Sequence, residues 1–333
     1  MLYITTRNKF DTYTAHKANQ SDRGDDGGLF LPFRMPSLEV KDLLALKDQT
    51  YCQRVAGILN LFYNTSLTAW DVELCGGKSP VKLIPISLRM VVAETWYNHN
   101  MDFAQLESRL AARIYGGESS IAKATSWVGI SIRIATLFAI YGELLSLGAT
   151  RPDALMDIAV ASGDFAAPMA AWYAREMGLP VGNIICGDDN AAIWDLLHQG
   201  QVRTDGGMPE NMERLINATL GVEENLRYCA ICEAGRLYAT RTGMLEILNK
   251  GMYAAVTSQE RVNALIPSVY RMAGYVMGPE TAKAYGGLQD YRARTGENRL
   301  AVLVSDKSPS ADSKRVASCM DITEQALQDI LGA

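Results

Sequence analysis

The sequence lacks an excess of basic charge, a long apolar run and a cluster of metal-binding residues. Its 32 basic and 37 acidic residues give a net charge of −5, which offers no electrostatic basis for binding nucleic acid or an anionic membrane. No run approaches the roughly 18 apolar residues of a membrane span, and residues 1–7 lack the basic and then apolar order of a signal peptide. We therefore expect a cytoplasmic location, with neither membrane nor nucleic acid as a partner.

Six cysteines are scattered through 333 residues, so the chain neither has nor needs a disulfide framework. Cys229 and Cys232 form the one close pair in the sequence. Zinc would need two more ligands, and neither a second close pair nor a nearby histidine is present. His16, His99 and His198 have no ligand spacing. The sequence therefore predicts buried free thiols and no metal site.

A strand, a turn and a helix follow one another in the middle of the chain. Residues 157–161 form an apolar run, residues 162–164 are typical of a tight turn that also caps a helix, and residues 165–177 form that helix, which Gly178 ends. Such a junction points backbone N–H groups and the positive end of the helix dipole at one place, where an anion can bind. Asp164, itself an anion, lies at that place. The sequence predicts an anion cradle that disfavours phosphate.

Apolar strands and helices alternate through the rest of the chain. The predicted strands are 81–86, 90–96, 157–161, 182–186 and 300–304. The predicted helices are 103–115, 127–147, 165–177, 190–198, one that begins at Pro209, 259–277 and 279–295, with further helical structure in 38–70. This alternation predicts an α/β fold in three layers, with a mostly parallel sheet covered by helices on both faces. Gly and Pro residues near position 78 predict a boundary between a module of residues 1–78 and a domain of residues 79–333.

Short motifs along nearly the whole chain occur in an order that suggests common descent with a known family. They are residues 3–7 (YITTR), 26–32 (DGGLFLP), 162–165 (SGDF), 177–180 (MGLP), 209–214 (PENMER), 274–275 (GY) with 279–282 (PETA), and 305–309 (SDKSP). Together they resemble the motifs of threonine synthase, a lyase that depends on pyridoxal phosphate (PLP) and has the tryptophan-synthase-β fold type. The resemblance implies a PLP fold-type II-like large domain over residues 79–333 and a threonine synthase-like N-terminal module.

The differences from the family pattern fall on its chemistry. The family's lysine, which holds PLP covalently, corresponds to Ala104, so the cofactor would lose its attachment and the enzyme a base. The phosphate loop of the family corresponds to residues 162–166, which are Ser162, Gly163, Asp164, Phe165 and Ala166. There, Asp164 adds a negative charge beside a would-be dianion, and Ala166 replaces a glycine at which the backbone would approach closely.

Three further differences concern the rest of the implied cofactor site. Asp306 replaces the threonine that faces the pyridine nitrogen in the family, and the arginine expected near Gly129 is missing. The family's small domain, which packs over the cofactor, is expected to be excised near residues 113–122, where too few residues are present to form it. The resemblance thus implies a weak remnant of the phosphate loop together with Asp306, and no catalytic lysine at position 104.

These losses predict a threonine synthase-like pseudoenzyme, without a cofactor, that has a structural, regulatory or partner-binding role. An excised domain would uncover apolar surface, so we expect a homo-oligomer or a protein partner to cover it. The first alternative is a PLP-dependent carbon–oxygen lyase acting on phosphates, with Lys123 or Lys307 as the displaced Schiff-base lysine.

The second alternative is a new small-molecule activity in the vacated cleft. Asp164 and Asp306 would border this cleft, where two carboxylates can serve acid–base chemistry or bind a cation. A small anionic or amino-acid ligand is among the expected partners. The plainer interpretation makes one of these carboxylates a helix N-cap and the other a loop residue.

Overall fold

The computed structural model describes residues 1–63, 65–78, 81–96, 103–115, 125–205 and 208–332. Its strands are β1 (Leu2–Thr5), β2 (Tyr13–Thr14), β3 (Phe30–Pro32), β4 (Lys82–Ser87), β5 (Met90–Glu94), β6 (Met156–Ala161), β7 (Val181–Asp188), β8 (Gln201–Arg203), β9 (Leu237–Ala239), β10 (Met252–Val256) and β11 (Ala301–Ser305). Its helices are α1 (Ala15–Gln20), α2 (Val40–Ala45), α3 (Tyr51–Phe62), α4 (Ala69–Gly76), α5 (Phe103–Tyr115), α6 (Trp127–Ser146), α7 (Ala166–Glu176), α8 (Ala191–Gln199), α9 (Met212–Leu220), α10 (Val222–Glu233), α11 (Leu245–Leu248), α12 (Gln259–Ala273), α13 (Pro279–Thr295), α14 (Ser313–Met320) and α15 (Glu324–Gly332).

The central sheet has six strands in the order β10-β7-β6-β11-β5-β4. Strands β10, β7, β6, β11 and β5 run parallel, and β4 pairs antiparallel with β5 at one edge. Because parallel strands end at the same edge of a sheet, the segments that follow β5, β6, β7 and β11 lie near one another. The mostly parallel sheet predicted from the sequence is confirmed, with the β4–β5 hairpin as its antiparallel part.

Successive side chains of the central strands face two different hydrophobic clusters. In β11, Val302 packs into the cluster that includes α3, α6 and α7. Its neighbours Ala301 and Leu303 pack into the cluster that includes α12, α13 and α14. Since side chains alternate along a strand, both faces of β11 are apolar and both are covered. The predicted three-layer arrangement is confirmed.

Helix α6 lies at the centre of one helical layer. It is long and apolar enough to cross a membrane, so the expectation that no segment approaches that length was wrong. In the structure, 89% of its most apolar window is buried inside the protein, where α6 packs against α3 and α7. Burial of this kind identifies the core helix of a globular fold and removes α6 as a source of exposed apolar surface.

The N-terminal region forms a small antiparallel sheet in the order β2-β1-β3, whose strands the sequence analysis did not locate. Tyr3 and Phe30 from this sheet are fully buried in the same cluster as α6. The hydroxyl of Tyr3 donates a hydrogen bond to the backbone oxygen of Phe62 at 2.9 Å. The N-terminal elements therefore share a core with the central sheet, and the boundary near residue 78 stays a prediction.

Several helix ends differ from their predicted positions. Helix α9 begins at Met212 rather than at Pro209, because the N–H of Met212 closes a turn on the Pro209 oxygen at 3.0 Å. Helix α12 ends at Ala273 rather than at Met277, because Gly274 adopts a left-handed conformation with φ of 67°. The segment near residues 113–122, where a family domain is expected to be missing, lies mostly outside the described residues.

Candidate functional site

A cavity of about 170 Å³ lies at the carboxyl ends of β6 and β11. Its lining residues are Phe103, Ala104, Arg133, Val160, Ala161, Ser162, Gly163, Asp164, Ala167, Glu280, Thr281, Val304, Asp306 and Lys307. Of the residues singled out in the sequence, Ala104, Ser162, Gly163, Asp164, Asp306 and Lys307 thus meet in one cavity. Phe165 and Ala166 are buried behind its wall, and Lys123 lies outside the described residues.

The turn between β6 and α7 binds a carboxylate of this chain. The hydroxyl of Ser162 donates to Oδ2 of Asp188 at 2.5 Å, and the N–H of Gly163 donates to the same oxygen at 3.1 Å. Asp188 is the last residue of β7 and is only 7% exposed. The hydrogen-bond donors of the turn between β6 and α7 therefore bond a carboxylate from the neighbouring strand β7.

A second carboxylate engages the start of α7. Oδ1 of Asp164 accepts a hydrogen bond from the N–H of Ala166 at 2.9 Å. Phe165, with φ of 64°, donates its own N–H to the Ser162 oxygen at 2.6 Å. The N-cap of α7 is Phe165 and not Asp164, so the predicted N-cap assignment was wrong, although the Asp164 side chain bonds the first N–H of the helix. The N–H groups of Gly163, Phe165 and Ala166 thus donate to two carboxylates and one carbonyl of this chain. An external anion could otherwise form hydrogen bonds with them.

Lys283 on α13 balances the charge behind this turn. Its Nζ lies 3.1 Å from Oδ1 of Asp189, 3.3 Å from Oε1 of Glu280 and 3.8 Å from Oδ1 of Asp188. Burial raises the pKa of the Asp188 carboxyl, while the hydrogen bond from Ser162 and the charge of Lys283 act in the opposite direction. Asp188 is therefore a buried acid whose charged form depends on these partners.

An ion cluster crosses the other side of the cavity. Nε of Arg133 lies 2.9 Å from Oε1 of Glu107, and Nη1 of Arg133 donates to Oδ2 of Asp306. Oδ1 of Asp306 accepts a hydrogen bond from the Thr95 hydroxyl at 2.8 Å. The guanidinium lies over the ring of Phe103, 4.7 Å from its centroid. Arg133 is thus held in place inside the cavity by groups of this chain.

Glu107 is the most perturbed acid of this cluster. It is 6% exposed, and burial raises its pKa to about 7, although the nearby Arg133 guanidinium lowers it. The charges of Asp306 and Asp164 add to the increase. The cluster therefore contains a carboxyl that changes protonation near neutral pH.

Sequence reasoning missed Arg133, Glu107 and Asp188, although two of them carried a signal. Arg133 is the one charged residue within 127–142, an otherwise apolar and neutral segment. Glu107 lies in the buried stripe of α5, with Leu106 and Leu110 beside it. A charge on an apolar face is a candidate for a buried ion pair. Asp188 carried no such signal, because its partners lie 26 and 25 residues away in the sequence.

The residues present do not fit the PLP that the resemblance implies. Position 104 carries no amine, and the N–H of Gly163 already donates to Asp188. Arg133 and Asp306 line the same cavity as Ala104 and pair with each other there. We therefore derive no catalytic step through PLP.

Among the described residues that line this cavity, Lys307 is the one amine. It is exposed, and within the described part of the chain no carboxylate lies at ion-pair distance from its Nζ. A second cavity of about 260 Å³ continues from it past Glu280 and Thr281 to Arg315. Lys307 can therefore reach small molecules in either cavity.

The cysteine pair has no partner set for a metal. Cys229 and Cys232 both lie on α10 as free thiols, and Cys229 is buried. Within the described ranges, no group of three or more His, Cys, Asp or Glu side chains could hold a metal ion. Burial raises the pKa of both thiols, so they are poor nucleophiles and poor ligands at neutral pH.

Comparison with known sequences finds a matching family model and related proteins. A family model, the threonine synthase N terminus, matches residues 2–79. Threonine synthase-like 1 from Pongo abelii and from Homo sapiens are each 24% identical over 186 residues. The match covers 51% of this chain and only 25% of each of these relatives, so the chain spans about a quarter of their length.

Comparison with solved structures finds the same fold. A PLP-bound threonine synthase from Brucella melitensis superposes with a TM-score of 0.83, at 16% identity, over 100% of this chain and 94% of that one. Threonine synthase from yeast gives a TM-score of 0.82 at 13% identity, over 99% and 94% of the two chains. At such low identities these similarities establish the fold and leave the activity open.

Proposed function

We propose that this chain is a member of the threonine synthase family and a pseudoenzyme that keeps the family's fold without its PLP chemistry. Its role would be structural, regulatory or partner-binding rather than catalytic. In this proposal no cofactor is bound, because the groups that would hold one are either replaced or engaged. The acidic net charge further argues against nucleic acid or an anionic membrane as a partner, and we propose a cytoplasmic location.

One observation carries the proposal: Asp188 accepts the hydrogen bonds of Ser162 and Gly163 at the β6–α7 turn. A cofactor phosphate would need donors at such a turn, and a buried carboxylate beside it would repel a dianion. Ala104 supports the same conclusion, since it cannot attach an aldehyde covalently. Loss of attachment and loss of the phosphate site would together leave little affinity for PLP.

Titration with PLP tests the proposal. We expect the visible absorbance of added PLP to change no more than with an unrelated protein of similar lysine content. Reduction with borohydride followed by peptide mapping should give only scattered surface labelling. A saturable absorbance band whose reduction labels one peptide would overturn the proposal.

A displaced lysine is the second candidate, and the position of Lys307 favours it. Lys307 lines the same cavity as Ala104, so its amine lies in the region where the family's lysine is implied. If this candidate is correct, borohydride labels Lys307, and Lys307→Ala abolishes the label. Lys307→Arg is the matched control, because it keeps the charge and cannot form a Schiff base. Labelling of the Lys307→Ala protein at an unchanged level would exclude Lys307; a label at Lys123 would instead support that alternative.

The other alternative, an activity built on Asp164 and Asp306, gains no support from their contacts. Asp164 accepts from the N–H of Ala166, and Asp306 accepts from Arg133 and Thr95. Both carboxylates therefore have hydrogen-bond partners within this chain. A small anionic or amino-acid ligand would have to compete with these contacts.

We also propose that the chain self-associates, through a surface other than α6. Trp70 and Leu74 lie four residues apart on α4, on one face of that helix, and are 61% and 57% exposed. Adjacent large apolar side chains in water favour association with another surface. A second copy of this chain is the simplest partner, because identical faces can pair about a two-fold axis.

A further inference from the structure

The β6–α7 junction has the build of an anion site. A turn with Gly163 at φ of 42° follows a parallel strand and leads into the eleven-residue helix α7. Gly163 lies two residues before the N-cap Phe165, so its N–H belongs to the turn that faces the positive end of the helix dipole, where an anion is favoured. The question is which anion they hold in this chain.

The contacts at the turn identify an occupant. Ser162 and Gly163 both donate to one oxygen, Oδ2 of Asp188, at 2.5 and 3.1 Å. Two donors that converge on a single carboxylate oxygen are what a bound anion would receive from this turn. The carboxylate comes from β7, the neighbouring strand, and not from the turn itself.

The second carboxylate oxygen of Asp188 also has a hydrogen-bond donor and a positive charge near it. Oδ1 accepts the N–H of Asp189 at 2.7 Å and lies 3.8 Å from Nζ of Lys283. Asp188 is 7% exposed, and a buried charge is stable only when its lone pairs and its charge are matched in this way. The four surrounding groups therefore form a built site around a carboxylate.

We infer that Asp188 is a permanent internal occupant of the anion site at the β6–α7 turn. An external phosphate and Asp188 cannot both accept the N–H of Gly163. The turn is consequently ordered by a group of the chain itself, and it needs no cofactor or ligand to hold α7 against the sheet. The inference concerns the occupant of the site and does not rest on the proposed loss of catalysis.

Chemical rescue tests the inference. Asp188→Ala removes the carboxylate and leaves space for formate, which supplies the same two oxygens. The melting temperature is measured by circular dichroism in chloride and in formate, at pH 7.5 and an equal ionic strength of about 0.1 M. In chloride, the variant should melt roughly 3–8 °C below the wild-type protein, since charge-assisted hydrogen bonds are lost. Formate should restore at least half of that loss and should not change the wild-type value.

Asp189→Ala is the matched control. Asp189 lies next in the chain and pairs with the same Lys283, but among the described residues its side chain forms no hydrogen bond with Ser162 or Gly163. Its melting temperature should be the same in chloride and in formate. Wild-type stability of Asp188→Ala in chloride, or a loss that formate leaves unchanged, would overturn the inference.

A second measurement applies if Asp188→Ala does not fold. Asp188→Asn has nearly the same shape and keeps an acceptor, but it removes the charge. Hydrogen exchange at the peptide that contains Gly163 should become about tenfold faster than in Asp189→Asn, because a charged acceptor protects its donor better than a neutral one. Equal exchange in the two variants would refute an anionic occupant. The PLP titration on the wild-type protein is separate, so each idea can fail alone.

Discussion

Arg133 on α6 and Asp306 after β11 form an ion pair across the cavity, although 173 residues separate them in the chain. Glu107 holds the same guanidinium from α5, with its Oε1 2.9 Å from Nε of Arg133. The pair thus links both helices to the end of β11. Both residues line the cavity that Ala104 and Lys307 also border.

Replacing Ala104 by lysine should not restore threonine synthase activity. The new amine would supply covalent attachment alone, whereas the turn at Gly163 stays engaged by Asp188 and the cavity still holds Arg133. Catalysis depends on groups that bind the transition state more tightly than the substrate. Release of phosphate from O-phosphohomoserine, with PLP added, is the measurement, and Ala104→Met is the control of similar length. PLP-dependent release above the wild-type rate would contradict the pseudoenzyme proposal.

Glu107→Gln should flatten the pH dependence of stability between about pH 4.5 and pH 7. Burial raises the pKa of Glu107 from 4.5 to about 7, so in this range the folded protein keeps a proton that the unfolded chain has lost. Its contribution is therefore fully present below pH 4.5 and is lost as the pH rises towards 7, by roughly 3 kcal/mol. Urea denaturation across this range measures the free energy of unfolding of both proteins.

The difference in unfolding free energy between wild type and Glu107→Gln should fall with rising pH. Glu223→Gln provides the control, because the Glu223 side chain is 87% exposed. Its difference from wild type should be nearly constant over the same range. A constant difference for Glu107→Gln would show that Glu107 is ionised throughout.

Self-association should depend on the exposed face of α4. Light scattering at micromolar concentration is expected to give a multiple of the monomer mass for the wild-type protein. The double substitution Trp70→Glu and Leu74→Glu should give a monomer, since two buried charges at an interface oppose contact. Leu88→Glu, at a fully exposed turn, is the control and should leave the assembly intact. A monomeric wild-type protein would contradict the proposal.

Gly187→Ala should destabilise the fold, whereas Gly57→Ala should not. A Cβ at Gly187 would clash with the backbone oxygen of Lys283 and lie 2.7 Å from Cα of Ala284, so α13 would have to move, at a cost of about 1–3 kcal/mol. Gly57 lies in α3 with nothing within 4 Å of its added Cβ, and alanine there should stabilise by about 0.5–1 kcal/mol. Thermal denaturation of both variants gives the comparison. Equal stabilities would mean that the α13–β7 contact is looser than the structure indicates.

Where the sequence carries clear start and stop signals, both end residues of an element could be predicted. Helix α13 runs from Pro279 to Thr295 as predicted, because proline suits a first helical turn and Gly296 takes the left-handed conformation that ends the helix. Strand β10 was missed, since residues 252–256 contain one β-branched residue, whereas the predicted five-residue strands 157–161, 182–186 and 300–304 contain two each.

The candidate site was predictable only in part. Ala104, Gly163 and Asp306 could be placed because motifs fix their positions on consecutive elements. The partners Asp188 and Arg133 could not, since contacts between neighbouring strands and between a helix and a distant loop depend on tertiary packing. The sequence indicated that the junction would disfavour phosphate, but it pointed to Asp164 and not to Asp188.

Helix α13 rests on β7 through Gly187 and Gly287, and a Cβ on Gly287 would lie 3.0 Å from Cα of Gly187. The same helix places Glu280 and Thr281 in the cavity wall. With backbone lying directly on backbone, the helix cannot slide without losing this contact. Changes in the shape of this part of the wall would then come from side-chain rotation, within nanoseconds, and not from the slower displacement of a helix.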